Sequence, residues 1–200
     1  MINIEVFADP EITIVADDIE VCIGETVDIT ATVSGGTGDC NIQWQRRPAG
    51  GVFVNVHSGE TTVTAGLAFL STPGVYEYQA IYSCDGASCA EITSDITTIE
   101  VFEDPSITIE ADELEVCLGA TVEITPTVSG GAGNCEIEWE RRVGTSGPWI
   151  STTNGIAESA FLSAPGTYQY RAMYVCDGAS CDEVTSNICL LYTSPSPRDS

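Results

Sequence analysis

An all-β chain, built as two tandem antiparallel β-sandwiches, is what this sequence predicts, and three observations carry that reading. An internal repeat runs along almost the whole chain. Several short runs alternate apolar and polar residues with period two, as half-buried strands require. No segment carries a helical period, and turn-forming clusters separate the runs at the spacing of short strands. The 200 residues make room for two domains of about 100 residues each. A hydrophobic share of 43% is enough to build a core in both.

The repeat is legible residue by residue. Asp9-Pro10-Glu11-Ile12-Thr13-Ile14 returns as Asp104-Pro105-Ser106-Ile107-Thr108-Ile109, and Val21-Cys22-Ile23-Gly24 as Val116-Cys117-Leu118-Gly119. Thr32 to Gly36 matches Thr127 to Gly131, and Trp44-Gln45-Arg46-Arg47 matches Trp139-Glu140-Arg141-Arg142, all at an offset of 95. Beyond the Arg pair the offset falls to 92, so the second copy is three residues shorter in the loop that follows. Cys84-Asp85-Gly86-Ala87-Ser88-Cys89 then recurs unchanged from Cys176 to Cys181.

The same comparison sets the expected boundaries. Met1 to Phe7 align with the end of a repeat, Ile96 to Phe102, and residues 1–8 are read as a remnant of the closing strand of a preceding domain. Residues 9–103 form the first repeat and 104–188 the second, whose closing strand is expected to be missing. Residues 189–200, Cys189 to Ser200, break the match and resemble the translation of a transposon-based sequencing adapter. They are expected to have no packed place, and the second repeat is expected to be the less stable one, with an open sheet edge. Setting Cys189 aside turns an odd count of nine Cys into four per repeat.

The strands follow in order. Val27 to Val33 alternates with one apolar face, and Ser34-Gly35-Gly36-Thr37-Gly38 is turn chemistry. Ile42 to Gln45 points Ile42 and Trp44 one way, and Phe53 to Val56 follows a Pro-Ala-Gly-Gly turn. Leu67 to Leu70 is short, ended by Thr72-Pro73-Gly74. Val75 to Ser83 puts Tyr76, Tyr78, Ala80 and Tyr82 on one face, and the β-branched run Ile92 to Phe102 closes the unit.

Gly74-Val75-Tyr76-Glu77-Tyr78 resembles the Gly-x-Tyr-x-Cys run of immunoglobulin-like domains, with Tyr76 at the tyrosine-corner place. That resemblance puts Ala31 and Tyr78 where antibody domains carry their inter-sheet Cys pair, beside Trp44; the second copy keeps Trp139, Tyr168 and Tyr170 and has Pro126 at the place of Ala31. Val-Cys-x-Gly-x-x-Val, Gly-Gly-x-Gly-x-Cys-x-Ile-x-Trp, Pro-Gly-x-Tyr-x-Tyr and Cys-x-Gly-x-x-Cys further resemble the Ig-like (PKD-like) repeats of very large secreted surface proteins of gliding bacteria. The resemblance covers Asp9 to Ile188. It implies an extracellular or cell-surface setting, with neighbouring repeats as the first partners. It also implies disulfides: Cys40–Cys84 and Cys135–Cys176 between neighbouring strands at one pole, which leaves Cys22–Cys89 and Cys117–Cys181. Strand counting places Cys22 and Cys89 at opposite poles, and a hairpin bridge Cys84–Cys89 with Cys22–Cys40 is the rival arrangement.

Composition narrows the function. Thirty Asp and Glu face six Arg and no Lys, for a net charge of −24. That argues against nucleic acid, whose binding needs cations to displace counterions, and against anionic membrane surfaces. No apolar run reaches the ~20 residues of a membrane helix, so no membrane insertion is expected. No nucleophile–base pair, paired carboxylates or metal-ligand set recurs, so the chain is read as non-catalytic and without cofactor. His57 stands alone, unrepeated, in the loop that changes length. The Arg pairs 46–47 and 141–142 could grip an acidic glycan, but serve equally as counter-charges on an acidic surface. Asp9, Asp17-Asp18, Asp104 and Asp112-Glu113 could bridge calcium, though no Asp-x-Asp-x-Asp-Gly loop exists. Two readings remain: a structural or adhesive spacer, and a carbohydrate- or protein-binding accessory module of a secreted enzyme. Trp149, with Phe53 near the equivalent place, is the aromatic that would serve the second. The link Phe102-Glu103-Asp104-Pro105 has no Gly, and its Pro restricts the residue before it, so a short stiff joint and an elongated rod are expected.

Overall fold

The computed structural model describes residues 3, 5–66, 70–86, 90–157, 161–179 and 181–194. The chain divides into two compact units, the second beginning at Asp104.

The first unit contains β1 (Glu11–Ala16), β2 (Glu20–Cys22), β3 (Val27–Ser34), β4 (Cys40–Pro48), β5 (Val54–Ser58), β6 (Thr62–Ala65), β7 (Gly74–Cys84), β8 (Ile92–Thr93) and β9 (Thr97–Phe102). One sheet runs β1-β3-β6; the other runs β2-β9-β7-β4-β5, with β8 also paired to β7. The second unit repeats this with β10 (Ser106–Ala111), β11 (Glu115–Cys117), β12 (Val122–Ser129), β13 (Cys135–Val143), β14 (Ile150–Thr152), β15 (Ile156–Ala157), β16 (Gly166–Cys176), β17 (Val184–Thr185) and β18 (Cys189–Ser194). Its sheets run β10-β12-β15 and β11-β18-β16-β13-β14, with β17 on β16.

Period-two patterning accounts for the packing. In β3, Val27, Ile29 and Ala31 are buried while Asp28, Thr30 and Thr32 face water. Tyr78, Ala80 and Tyr82 of β7 meet them across the sandwich, around a Trp44 that is fully buried. The second core gathers Val122, Ile124, Trp139, Tyr170, Ala172 and Leu191. The indole N–H of Trp44 donates to the Glu60 carbonyl at 2.9 Å, so burying it leaves no polar atom stranded.

Three strands escaped the sequence reading. β1 and β2 are one segment that changes sheets at Asp17-Asp18: β1 pairs antiparallel with β3, β2 parallel with β9. β6 lies upstream of the expected strand Leu67 to Leu70; of that strand, residues 67–69 lie outside the described residues, and Leu70 is buried but not in a strand. The expected closing run Ile92 to Phe102 is broken into β8 and β9. At the break, the buried Ser94 Oγ accepts from the Ala80 N–H at 3.0 Å and donates to the Asp95 carbonyl, while the Ser94 N–H donates to the Ala80 carbonyl. Ser186 repeats this on Ala172. A side chain thus replaces a lost ladder bond. Ser94→Ala is expected to destabilise the first unit by about 1–3 kcal/mol, the cost of leaving the Ala80 N–H buried and unpartnered, measured by chemical denaturation. An unchanged midpoint would mean that water reaches the break.

The expectation for residues 189–200 is overturned over 189–194. These residues are β18, paired antiparallel with β16 through Gly166↔Thr193, Tyr168↔Leu191 and Tyr170↔Cys189. That register matches β9 on β7: Gly74↔Val101, Tyr76↔Ile99 and Tyr78↔Thr97. Cys189, Leu191 and Thr193 are buried. The physical reason is that Cys-Leu-Leu-Tyr-Thr-Ser happens to alternate with the right parity, so it covers the core and satisfies the free edge of β16. The second sandwich is therefore closed, which removes the ground for expecting it to be the weaker. Residues 195–200 lie outside the described residues.

Candidate interaction face

Both Arg pairs sit on the central strands β4 and β13, where successive side chains face opposite ways. Each pair is therefore divided between two jobs. The Arg46 guanidinium lies 5.7 Å from the Tyr76 ring centre, and that of Arg141 lies 4.2 Å from Phe161. Arg46 also stands beside Tyr78. Burial pushes the Tyr78 phenol up to about 12, and the Arg46 charge opposes that rise. An unfolded Tyr ionises near 10, so the neutral phenol stabilises the fold fully below pH ~10 and that stabilisation is lost as pH rises towards 12. Tyr78→Phe is expected to flatten the alkaline loss of stability of the first unit across this window. Equal slopes for parent and variant in denaturant titrations would refute the assignment.

The outward members meet aromatics. Arg47 pairs with Glu77, donates to the Gly51 carbonyl at 3.4 Å and lies 4.3 Å from the Phe53 ring centre. Arg142 donates to Gln169 Oε1 at 2.7 Å and lies 4.3 Å from the Trp149 ring centre. Arg171 lies 4.4 Å from the same ring and pairs with Glu140 at 2.6 Å. In the first unit the positions of Glu140 and Arg171 hold Gln45 and Gln79, joined by an amide hydrogen bond of 2.8 Å. The same cross-strand pair, Gln45↔Gln79 and Glu140↔Arg171, is thus neutral in one copy and ionic in the other. Sequence reading singled out Trp149 and Phe53 but missed Arg171; its alignment with Gln79 was the available signal. Both aromatics are half-buried. Guanidinium stacking of this kind contributes about 0.5–1 kcal/mol at exposed sites.

Of the acidic clusters, Asp17, Asp18 and Asp112 bind backbone N–H groups. Asp17 Oδ1 accepts from the Asp28 N–H, and Asp18 Oδ1 from Ile19 and Glu20, which fixes the change of sheet. Asp112 accepts from Glu123 in the same way. Among the described residues no group of three His, Cys, Asp or Glu could hold a metal ion. His57 Nε2 lies 3.3 Å from Glu60 Oε2.

Of the eight cysteines singled out, Cys40 is joined to Cys84 and Cys135 to Cys176, each pair directly opposite in register. Gly36 and Gly131 lie against these bridges with φ of +77° and +81°, and an added Cβ would overlap Cys84 Sγ or Cys176 Sγ, which explains the repeated Gly-Gly turn. Cys22 is disulfide-bonded; its expected partner Cys89 lies outside the described residues. The expected Cys117–Cys181 bridge does not form: Cys117 is an exposed free thiol while Cys181 is disulfide-bonded. Cys189 is free and buried, and burial pushes its thiol up, against a backbone hydrogen bond at Ala111.

The Tyr76 hydroxyl donates to the Thr72 carbonyl at 3.0 Å, and that of Tyr168 to the Ala164 carbonyl at 2.8 Å, four residues upstream in both copies. This is a tyrosine corner, set between a sheet-switching first strand and a closing strand paired with it in parallel. The fold is immunoglobulin-like. No family model and no curated protein matches the chain. Among solved structures, the immunoglobulin domains 1–5 of Sidekick-1 align over 95% of this chain and 40% of theirs, with 15% identity and a TM-score of 0.54. A marsupial T cell receptor aligns over 94% of this chain and 74% of its own, with 14% identity and a TM-score of 0.56. The N-terminal eight immunoglobulin domains of Down Syndrome Cell Adhesion Molecule (isoform 1.30.30) align over 94% of this chain and 25% of theirs, with 15% identity and a TM-score of 0.52. The chain thus spans less than half the length of the Sidekick-1 and Down Syndrome Cell Adhesion Molecule chains it matches. In each immunoglobulin-like unit the usual inter-sheet disulfide gives way to packing: Ala31, Tyr78 and Trp44 in the first, Tyr170 and Trp139 in the second, all buried.

Proposed function

We propose that these immunoglobulin-like repeats are non-catalytic spacer or adhesion-stalk segments of a secreted or cell-surface bacterial protein. The observation that carries the reading is the recurrence of one framework in both units: the bridge at one pole, the Gly-Gly turn against it, the tyrosine corner and the Ser94/Ser186 break. What the two copies share is the scaffold; the Arg–aromatic face is what differs. A stalk needs repeated scaffolds, whereas a unique site needs one copy. The motif resemblance to surface repeats of gliding bacteria supports the bacterial setting, and the disulfides support an oxidising compartment. Small-angle scattering tests the spacer role: an elongated two-domain particle is expected, and a compact one would overturn it.

The Arg142–Trp149–Arg171 cluster favours a second reading, a carbohydrate- or protein-binding accessory module. Because guanidinium groups already engage the Trp149 ring, sugar stacking there would have to compete with them. Sub-micromolar glycan affinity abolished by Trp149→Ala would move the assignment to this class.

A further inference from the structure

The central strands of the two units carry different charges on their outward faces. Gln169 lies between Tyr168 and Tyr170, which both enter the core, so its side chain points outward, as that of Arg171 does. Opposite it on β13 stands Arg142; at the same two places in the first unit Glu77 stands opposite Arg47. Arg47 and Glu77 form an ion pair, whereas Arg142 meets an amide where that carboxylate would be. Among the described residues no carboxylate pairs with Arg142, while Arg171 is neutralised by Glu140. One guanidinium charge on this face of the second unit is therefore uncompensated, in a chain of net charge −24.

That charge is also held in place. Gln169 is only 7% exposed although it points outward, and its Oε1 accepts from Arg142 Nε at 2.7 Å. The Trp149 ring centre lies 4.3 Å from the same guanidinium. The Arg142 Nη atoms have no partner among the described residues. A guanidinium fixed at its Nε offers them as a fork that matches a carboxylate. Two residues along the same face of β13 is Glu140, opposite Ser151 of β14. There a hollow of about 400 Å³ is lined by Glu138, Glu140, Ser151, Thr152, Thr153 and Met173. Hydroxyls and carboxylates around the apolar Met173 suit a polyhydroxylated ring, whose O–H groups donate to Glu138. An acidic peptide would bring its own carboxylates against that Glu138, so the lining selects a sugar over a polypeptide. The first unit spends these places on itself. Gln43, Gln45 and Gln79, at the positions of Glu138, Glu140 and Arg171, donate to the His57 carbonyl, to Asn55 and to Gln45.

We propose that this hollow and Arg142 form a subsite for an acidic oligosaccharide. A sugar ring occupies the hollow, and a uronate carboxylate of the same sugar chain is bound by the Arg142 Nη atoms. Trp149 positions the guanidinium and is not the platform on which the sugar stacks. The proposal rests on the binding-module reading above and names its ligand class.

Isothermal titration of the whole chain with three probes tests it: a galacturonate oligomer, the same oligomer methyl-esterified, and poly-glutamate. The acidic oligomer is expected to bind, more weakly as salt is raised, and the ester to bind about tenfold more weakly still. Arg142→Gln is expected to cost a similar factor. Gln169→Glu, which supplies the carboxylate found at Glu77, should cost as much with Arg142 still present. Equal binding of acid and ester by the parent protein, or no effect of either substitution, would overturn the proposal and leave the binding-module reading standing. Tighter binding of poly-glutamate than of the acidic oligomer would overturn the choice of a sugar. Failure of both oligomers to bind would overturn the proposal, and the binding-module reading would then be decided by Trp149→Ala alone.

Discussion

Replacing Cys40 and Cys84 together by Ala is expected to lower the stability of the first sandwich by about 4 kcal/mol, the chain entropy of opening a loop of 44 residues. The loss should be confined to that unit, because Cys135–Cys176 does the same work in the other over 41 residues. Two resolved transitions, one shifted and one unmoved, are what calorimetry should show. The shift should not depend on Tyr78 or Trp44, which pack the core away from this pole. A loss under 1 kcal/mol would mean that β4 and β7, paired over nine registered positions from Cys40 to Pro48, hold the pole without the bridge.

The second large effect is at Leu191. Its side chain is fully buried opposite Tyr168, at the place Ile99 holds in the first unit. Leu191→Ala is expected to cost the second unit about 2–5 kcal/mol, through lost burial plus the cavity left behind. Tyr192→Ala, on the exposed side of the same strand, should cost far less. If the two substitutions behaved alike in thermal melts, β18 would not be a packed strand in solution.

Most of the architecture was legible in the sequence for a definite reason. Strands such as β3 and β7 bury one face and wet the other, so their alternation survives in the residue string. Of the strands that were missed, β2 has three residues, too few to show a period, whereas β1 and β6 do alternate, but over only six and four residues. The break at Ser94 was hidden because its cause is a single hydroxyl aimed at the Ala80 N–H, which no local pattern reveals. β18 misled for the opposite reason: it departs from the repeat in identity but keeps its parity. The Arg–aromatic face was half visible. Arg142 and Trp149 stand out as rare residues, whereas Arg171 acquires meaning only once the register sets it opposite Glu140. The cysteines carried the sharpest lesson. The resemblance implied pairs inside each repeat, but Cys117 is a free thiol while Cys181 is disulfide-bonded.

The slot beside β16 reads a grammar and not a spelling. Cys189, Leu191 and Thr193 share with Thr97, Ile99 and Val101 little beyond odd-numbered placement and modest size, yet both trios seat in one register. Seams between such modules can therefore drift, be recombined or be respliced with little loss of folding, so long as every second residue remains small or apolar. The same permissiveness makes the socket promiscuous: with its own closing strand withdrawn, it should accept that of a sister chain, and strand exchange between molecules becomes the misassembly this scaffold must guard against.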